Sequence, residues 1–155
     1  MPGYGILDAQ SGQGLLPWSW AEERLERARN YFVATVRPDG APHAMPVWGV
    51  WLDGAFSFST GGRSRKARNL AANARCVVSP EHAEESIVLE GVAERVVDAE
   101  AIAQRMATYR RKYGTGFPVP EENPVFAVRP RVVFGIIEHN PEFSGSATRW
   151  RFDDA

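Results

Sequence analysis

The chain has 155 residues, enough for one domain with a substantial core, and is 44% hydrophobic and 24% charged, an ordinary balance for a soluble globular protein. A net charge of -1 excludes a bulk attraction to nucleic acid or to an anionic membrane, so any anion site must be a local cluster. A single cysteine, Cys76, excludes an intrachain disulfide and a thiolate metal cage and fits a cytoplasmic location, and no apolar run reaches the length of a membrane span.

Residues 1–18 read as a flexible N-terminal arm rich in glycine, and residues 19–155 as a single domain. Met1 to Gly14 has neither a basic start nor an apolar stretch and does not read as a signal peptide. Ser19 and Glu22 have capping-box spacing, which predicts a helix from about Trp20 to Asn30. Tyr31 to Arg37 is β-branched and aromatic and reads as a strand, closed by a Pro38-Asp39-Gly40 turn. A second strand is expected from His43 to Leu52, then an Asp53-Gly54 hairpin turn and a third strand, Ala55 to Thr60. Gly61-Gly62 breaks that strand, and Ser64 to Asn73 reads as a short helix. Strands follow at Arg75 to Ser79 and Ser86 to Val97, the latter bending at Gly91. Asp98 caps a helix from Ala99 to about Tyr113. Gly114 to Pro124 is a loop, Val125 to His139 a strand interrupted at Pro130, and Thr148 to Phe152 a closing strand.

Short strands joined by tight turns predict a mainly β fold, an antiparallel barrel of six or seven strands with two or three helices. Val47, Trp48, Val50, Trp51 and Leu52 put large apolar groups on both faces of one strand. One barrel has one interior, so the second face calls for cover from a second subunit, and a homodimer is expected.

The most informative stretch runs from Phe58 to Leu70. Arg63, Arg65, Lys66 and Arg68 lie at a predicted helix start with no acid among them. The positive end of a helix dipole disfavours added cations unless an anion sits there. Arg can grip a phosphate with paired hydrogen bonds, Lys adds a mobile charge, and Thr60 and Ser64 can donate hydroxyls. On these residues alone a phosphate site and a solvated basic face stand level. Nucleic acid is disfavoured, because the rest of the chain offers no second basic stripe.

The segment FSTGGRSRKARNLAANARC resembles the flavin-binding signature of the pyridoxamine-phosphate-oxidase-like split-barrel family, with an aromatic-x-Thr strand end, a turn, and Ser-Arg-Lys-Ala. Leu70 and Asn73 keep the spacing, as do Gly40-Ala41-Pro42 leading into Met45-Pro46-Val47-Trp48, and Ile87 to Gly91 downstream. The resemblance spans roughly residues 31–97, with a looser extension at Thr148 to Phe152. It implies a split β-barrel homodimer with cofactor sites between subunits. Arg65 and Lys66 would hold the cofactor phosphate, with Ser59, Thr60, Arg63 and Ser64 around it. Val47 and Trp48 would face the ring system, and Trp150 would reach the site from the partner subunit.

Departures from the oxidase are informative. Met45 stands where the oxidase has Arg, Ser86 where it has Gln, and its C-terminal Arg-x-His motif has no counterpart in TRWRF. Pyridoxamine phosphate is therefore not the expected substrate. The Pro-Val-Trp strand and the Lys66-x-x-Asn69-Leu70 helix are more similar to the actinobacterial branch that uses the deazaflavin coenzyme F-420, with flavin mononucleotide (FMN) as the alternative. The implied function is an oxidoreductase reducing a small unsaturated molecule by hydride transfer. The rivals are a cofactor carrier without turnover and a phosphoprotein- or nucleic-acid-binding module. No catalytic acid or base is assigned. His43, His82 and His139 share no metal-ligand spacing, and no metal is expected. Glu81, Glu84 and Glu85 read as a solvated loop, and Tyr109 and Tyr113 as core or interface aromatics.

Overall fold

The structure, a computed structural model, describes residues 15–117, 122–139 and 142–152. Its elements in chain order are α1 (Trp18–Arg27), β1 (Tyr31–Val36), β2 (Pro42–Val47), β3 (Val50–Leu52), β4 (Ala55–Ser59), α2 (Arg65–Ala72), β5 (Arg75–Pro80), β6 (Glu85–Val96), α3 (Ala99–Tyr113), β7 (Val125–Ile137), α4 (Glu142–Ser146) and β8 (Thr148–Arg151). The strands form one antiparallel sheet in the order β2-β1-β5-β6-β7-β4-β3, with β8 added to β7. The sheet is curled, and the described strands number eight rather than six or seven. Among the described residues no helix is long and apolar enough to cross a membrane.

Alternation along the strands makes the core. Tyr31, Val33, Phe56, Phe58, Ile87, Leu89 and Val133 point inward and are fully buried. Each such side chain contributes about 1.5–3 kcal/mol on leaving water. Between Glu90 and Gly91 the register slips, so that Gly91 faces Pro130 while Glu90 faces Val132, leaving Arg131 as the extra residue on β7. A Cβ on Gly91 would collide with the Arg129 carbonyl and lie 2.8 Å from Val128 Cγ1, so the crossing needs glycine. Pro130 sits at this bulge, where its missing N–H costs nothing, and β7 runs through it instead of breaking.

Three further expectations are corrected. The first helix begins at Trp18 and is entered from Pro17, with no side-chain cap. Ser19 lies inside it, and Glu22 accepts a hydrogen bond from Trp51 Nε1 at 3.3 Å instead of closing a capping box. Pro at the entry supplies the extended φ that the cap would have set. No helix is expected between His139 and Thr148, yet Glu142–Ser146 forms α4.

The expected strand from His43 to Leu52 is two strands separated at Trp48-Gly49. A Cβ at Gly49 would strike the Phe56 ring and lie 2.7 Å from the Ser57 carbonyl oxygen. The backbone passes so close to β4 that it kinks there. The two faces of β3 are then covered within the chain. Trp51 joins the main core, and Val50 packs with Tyr109, Phe117 and Val125 under α3. The apolar surface that lacks cover lies elsewhere, on the outer face of the sheet.

Candidate functional site

At the end of β4 the chain is pinned to the segment that leads into β7. Ser59 Oγ donates to the Asn123 carbonyl (3.0 Å), Thr60 N–H to Pro124 (3.3 Å) and Gly62 N–H to Glu122 (2.9 Å). Ser64 N–H closes the turn onto the Gly61 carbonyl at 2.8 Å. Ser64 then caps α2, its Oγ accepting from Ala67 N–H at 3.1 Å and lying 3.1 Å from Thr60 Oγ1. The N–H groups of Arg65 and Lys66, also in the first turn, have no acceptor among the described residues.

The cations around this mouth are equally uncompensated. Among the described residues, Arg63, Arg65, Lys66 and Arg68 form no ion pair. The first turn of α2 carries no acid. Arg63, Arg65 and Arg68 are exposed, and Lys66 is half-buried. Burial holds the Lys66 amine below its ordinary pKa, because losing water disfavours the charged ammonium. Free N–H groups, a helix dipole and uncompensated cations converge here on a site suited to a phosphate-like dianion. Ser59, Thr60, Arg63, Ser64, Arg65 and Lys66 thus lie together on one turn and helix start.

The remaining candidates are distributed differently. Asn69 is 1% exposed and packs beneath α2, its Nδ2 donating to Thr35 Oγ1 at 2.9 Å. Among the described residues its Oδ1 has no partner, and neither has the buried Nδ1 of His43 on the neighbouring strand. Trp150 lies on β8 opposite Val133, eight residues along β7 from the Val125 that pairs with Ser59. Its ring packs against Trp18 at 5.5 Å and over Gly135. Within one chain it is not part of the mouth.

Val47 and Trp48 end β2, where Val47 pairs with Tyr31. The mouth reaches β1 through Asn69 at Thr35, so the two places are four residues apart on β1, about 13 Å. Trp48 is held on several sides. Its ring lies parallel to Tyr113 at 4.7 Å, and its Nε1 donates to Asn30 Oδ1 at 3.1 Å. Asn30 is itself fixed by Glu81, whose carboxylate accepts from Asn30 Nδ2 at 2.6 Å and from the N–H groups of Arg29 and Asn30. These hydrogen bonds, the Asn30 side chain first, hold the Glu81 carboxyl below its ordinary pKa. Trp48 nevertheless remains 39% exposed.

Sequence reasoning missed this arrangement. It left Glu81 in a solvated loop and Tyr113 as generic packing, and it did not single out Asn30 or Lys112. Nothing local could have joined residues so far apart in the chain. Glu85, assigned to the same loop, pairs through both carboxylate oxygens with Arg24 of α1.

A cavity of about 850 Å³ forms an open groove on the outer face of the sheet, lined among others by Val36, Val77, Val92 and Val132 with Arg75 and Glu90. It contains none of the residues at the mouth. Registers show what surrounds it: Phe32, Ala34 and Val36 of β1, Val77 of β5, Val88 and Val92 of β6, and Val132 and Phe134 of β7 share this face. Phe32 is 50% exposed.

Against known proteins, the pyridoxamine 5'-phosphate oxidase family matches residues 20–136. No curated protein matches the sequence at a significant level. Among solved structures, a protein described as an F-420 reductase is 26% identical, with a TM-score of 0.59 over 72% of this chain and 94% of that one. The conserved hypothetical protein Rv2991 of Mycobacterium tuberculosis shares the fold at 23% identity and a TM-score of 0.68, covering 76% and 82% of the two chains. HutZ of Vibrio cholerae, described as a haem storage protein, shares it at 19% identity and 0.64, covering 77% and 96%.

Proposed function

The chain belongs to the pyridoxamine 5'-phosphate oxidase family, and from that premise we propose that it is an oxidoreductase that binds coenzyme F-420 and reduces a small unsaturated molecule. FMN is the alternative cofactor. The observation that carries this proposal is the mouth of α2: two N–H groups without an acceptor and four cations without an ion pair among the described residues. Arg65 and Lys66 grip the phosphate, Ser64 and Thr60 complete the hydroxyl side, and Ser59 fixes the turn. Val47 and Trp48 face the ring system; Tyr31, which pairs with Val47, lies four residues, about 13 Å, along β1 from Thr35, where Asn69 anchors α2.

The flavin or deazaflavin, when bound, supplies hydride transfer. The protein's own contribution is to fix the phosphate and to present Trp48 as a rigid indole surface. Asn69 supports the helix from below through Thr35 rather than facing the phosphate. The F-420 reductase neighbour favours the deazaflavin, and so do the cations in excess of one phosphate, since that cofactor carries a negatively charged tail.

We further propose that the protein is a homodimer formed through the outer face of the sheet. The apolar row from Phe32 to Phe134 replaces the β3 strand as the basis for this proposal, because β3 is covered within the chain. Trp150 would enter the cofactor site from the second copy. Phe134→Asp should convert a dimer to a monomer in light scattering at micromolar concentration. A wild-type protein that is already monomeric there contradicts the shared site.

The deciding experiment offers FMN and F-420 side by side to the purified protein and follows absorbance and calorimetry. Binding of either with micromolar or better affinity, followed by turnover of the reduced form, supports an oxidoreductase. Binding without turnover toward any acceptor points to a carrier, and binding of neither removes the cofactor site.

A further inference from the structure

We propose that Lys112 is a positioning residue for Trp48: its ammonium holds the Trp48-Gly49 kink, so that the indole is presented as a fixed platform, and the hold weakens when the amine loses its charge. The inference rests on the assignment of Trp48 to the ring end of the cofactor site.

The geometry joins four elements at one point. Lys112, near the end of α3, donates from Nζ to the Gly49 carbonyl at 3.1 Å and to the Tyr31 hydroxyl at 2.7 Å. Tyr31 in turn donates to the Leu25 carbonyl in α1. Tyr113, the next residue of α3, clasps the same residue from its other side. Its hydroxyl accepts from Gly49 N–H at 3.1 Å and gives its proton to Arg29 O at 2.7 Å or Gly49 O at 2.9 Å. Both backbone polar groups of Gly49, and so the peptides on either side of it, are therefore held by α3. The Tyr113 ring then serves as the surface on which Trp48 stacks. Gly49 itself cannot move toward β4, because Phe56 is already against it. The indole orientation follows from the peptide, and the peptide from Lys112 and Tyr113.

The charge on Lys112 is sensitive to its surroundings. Burial lowers its amine to about 8, partly opposed by the carboxylates of Glu26 on α1 and Glu81 after β5. Tyr31 from β1 and Tyr113 from α3 face it as neutral phenols. Burial raises both hydroxyls, Tyr113 to about 12, so neither supplies a negative charge near neutral pH. The Arg29 guanidinium lies over the Tyr113 ring at 5.6 Å. Loss of the proton leaves Nζ two N–H groups, so the bonds persist but fall from charge-assisted to neutral strength.

The test labels the protein with 5-fluorotryptophan and reads Trp48 by fluorine NMR, assigned with Trp48→Phe. In the wild type the Trp48 resonance should shift with a midpoint near pH 8. The shift should vanish in Lys112→Met, and Lys112→Arg should keep the neutral-pH position without titrating. Affinity of the wild type for FMN and F-420 should fall about fivefold between pH 7 and 9.5, the ratio expected between charge-assisted and neutral bonds. Lys112→Met, which makes neither bond, should bind more weakly than the wild type at pH 7, with a gap that narrows at pH 9.5. A Trp48 resonance that stays flat from pH 7 to 9.5 in the wild type overturns the proposal with no variant needed. So does an unchanged titration in Lys112→Met. If the resonance titrates as expected but Trp48→Ala binds both cofactors normally, the hold stands and the assignment of Trp48 to the ring falls. If Trp48→Ala weakens binding while the resonance is flat, the assignment stands and Lys112 has no part in it.

Discussion

At the start of α2, the cations within six consecutive residues have no ion pair among the described residues, while at the Trp48 corner polar groups drawn from α1, β1, α3 and three connecting segments are paired with one another. Their anchor points on β1, Thr35 and Tyr31, lie about 13 Å apart, and on the proposed reading the two regions solve different problems. A site that must take up an anion has to keep its donors unspent, and the fold leaves them exposed on a helix start pinned from behind by Asn123 and Pro124. A surface that must present a ring in one orientation has to spend every donor on its own structure. Unsatisfied groups mark the first region and satisfied ones the second. Mutations should therefore affect binding in one and both stability and binding in the other.

The sharpest way to break this contrast is the double change Arg65→Ala with Lys66→Ala. Charge-assisted hydrogen bonds contribute about 1.5–3 kcal/mol each, so cofactor affinity should fall by about a hundredfold or more. Circular dichroism and the melting temperature should hardly move, because neither side chain is committed to the fold. Unchanged affinity in a titration of folded protein would remove the phosphate site.

Gly49→Ala is the complementary experiment on the paired corner. The added methyl meets the Phe56 ring and the Ser57 carbonyl. Overpacking of this kind costs about 1–3 kcal/mol. Denaturant unfolding should show that loss directly, and a neutral result would mean that the kink is not imposed by Phe56.

Acid–base behaviour distinguishes the regions further. The unfolded chain keeps the Lys112 proton up to its ordinary value of 10.5, whereas the folded protein releases it near 8. The folded state binds fewer protons across that window, so stability should rise as pH climbs through it. Tyr31 and Tyr113 act oppositely. Their hydroxyls are raised in the folded state, so stability falls once the pH passes about 10, where unfolded tyrosines ionise. Stability should rise from about pH 8 to a maximum near pH 10, and Lys112→Met should lack the rising limb. At the mouth, an anion beside Lys66 should raise that depressed amine, so binding should take up a proton and weaken as pH rises. Calorimetry in buffers of different ionisation enthalpy reads the uptake.

The smallest effect concerns the choice of cofactor. Arg63 is exposed and exceeds what one phosphate needs. Arg63→Ala should weaken F-420 more than FMN, by only about 0.2–1 kcal/mol, and the difference should shrink as salt rises. Equal losses for both would favour FMN as the natural cofactor.

The mouth was legible in the sequence because it is local. Thr60 to Arg68 carries the strand end, the glycine turn, the cap and the cations in chain order, and short-range backbone rules suffice to place them. For the same reason Asp98 capped its helix and Gly91 its bend as expected. The tertiary structure alone decided the rest. Only the approach of Phe56 broke the predicted strand at Gly49, and only the packing of α3 covered the face of β3 that had argued for a partner. The bonds from Lys112 to Tyr31 and Gly49, and from Glu81 to Asn30, link residues 81, 63 and 51 positions apart. Such contacts depend on where the sheet curls and which helix closes it, and these are set by the summed packing of the core, which no window of sequence contains.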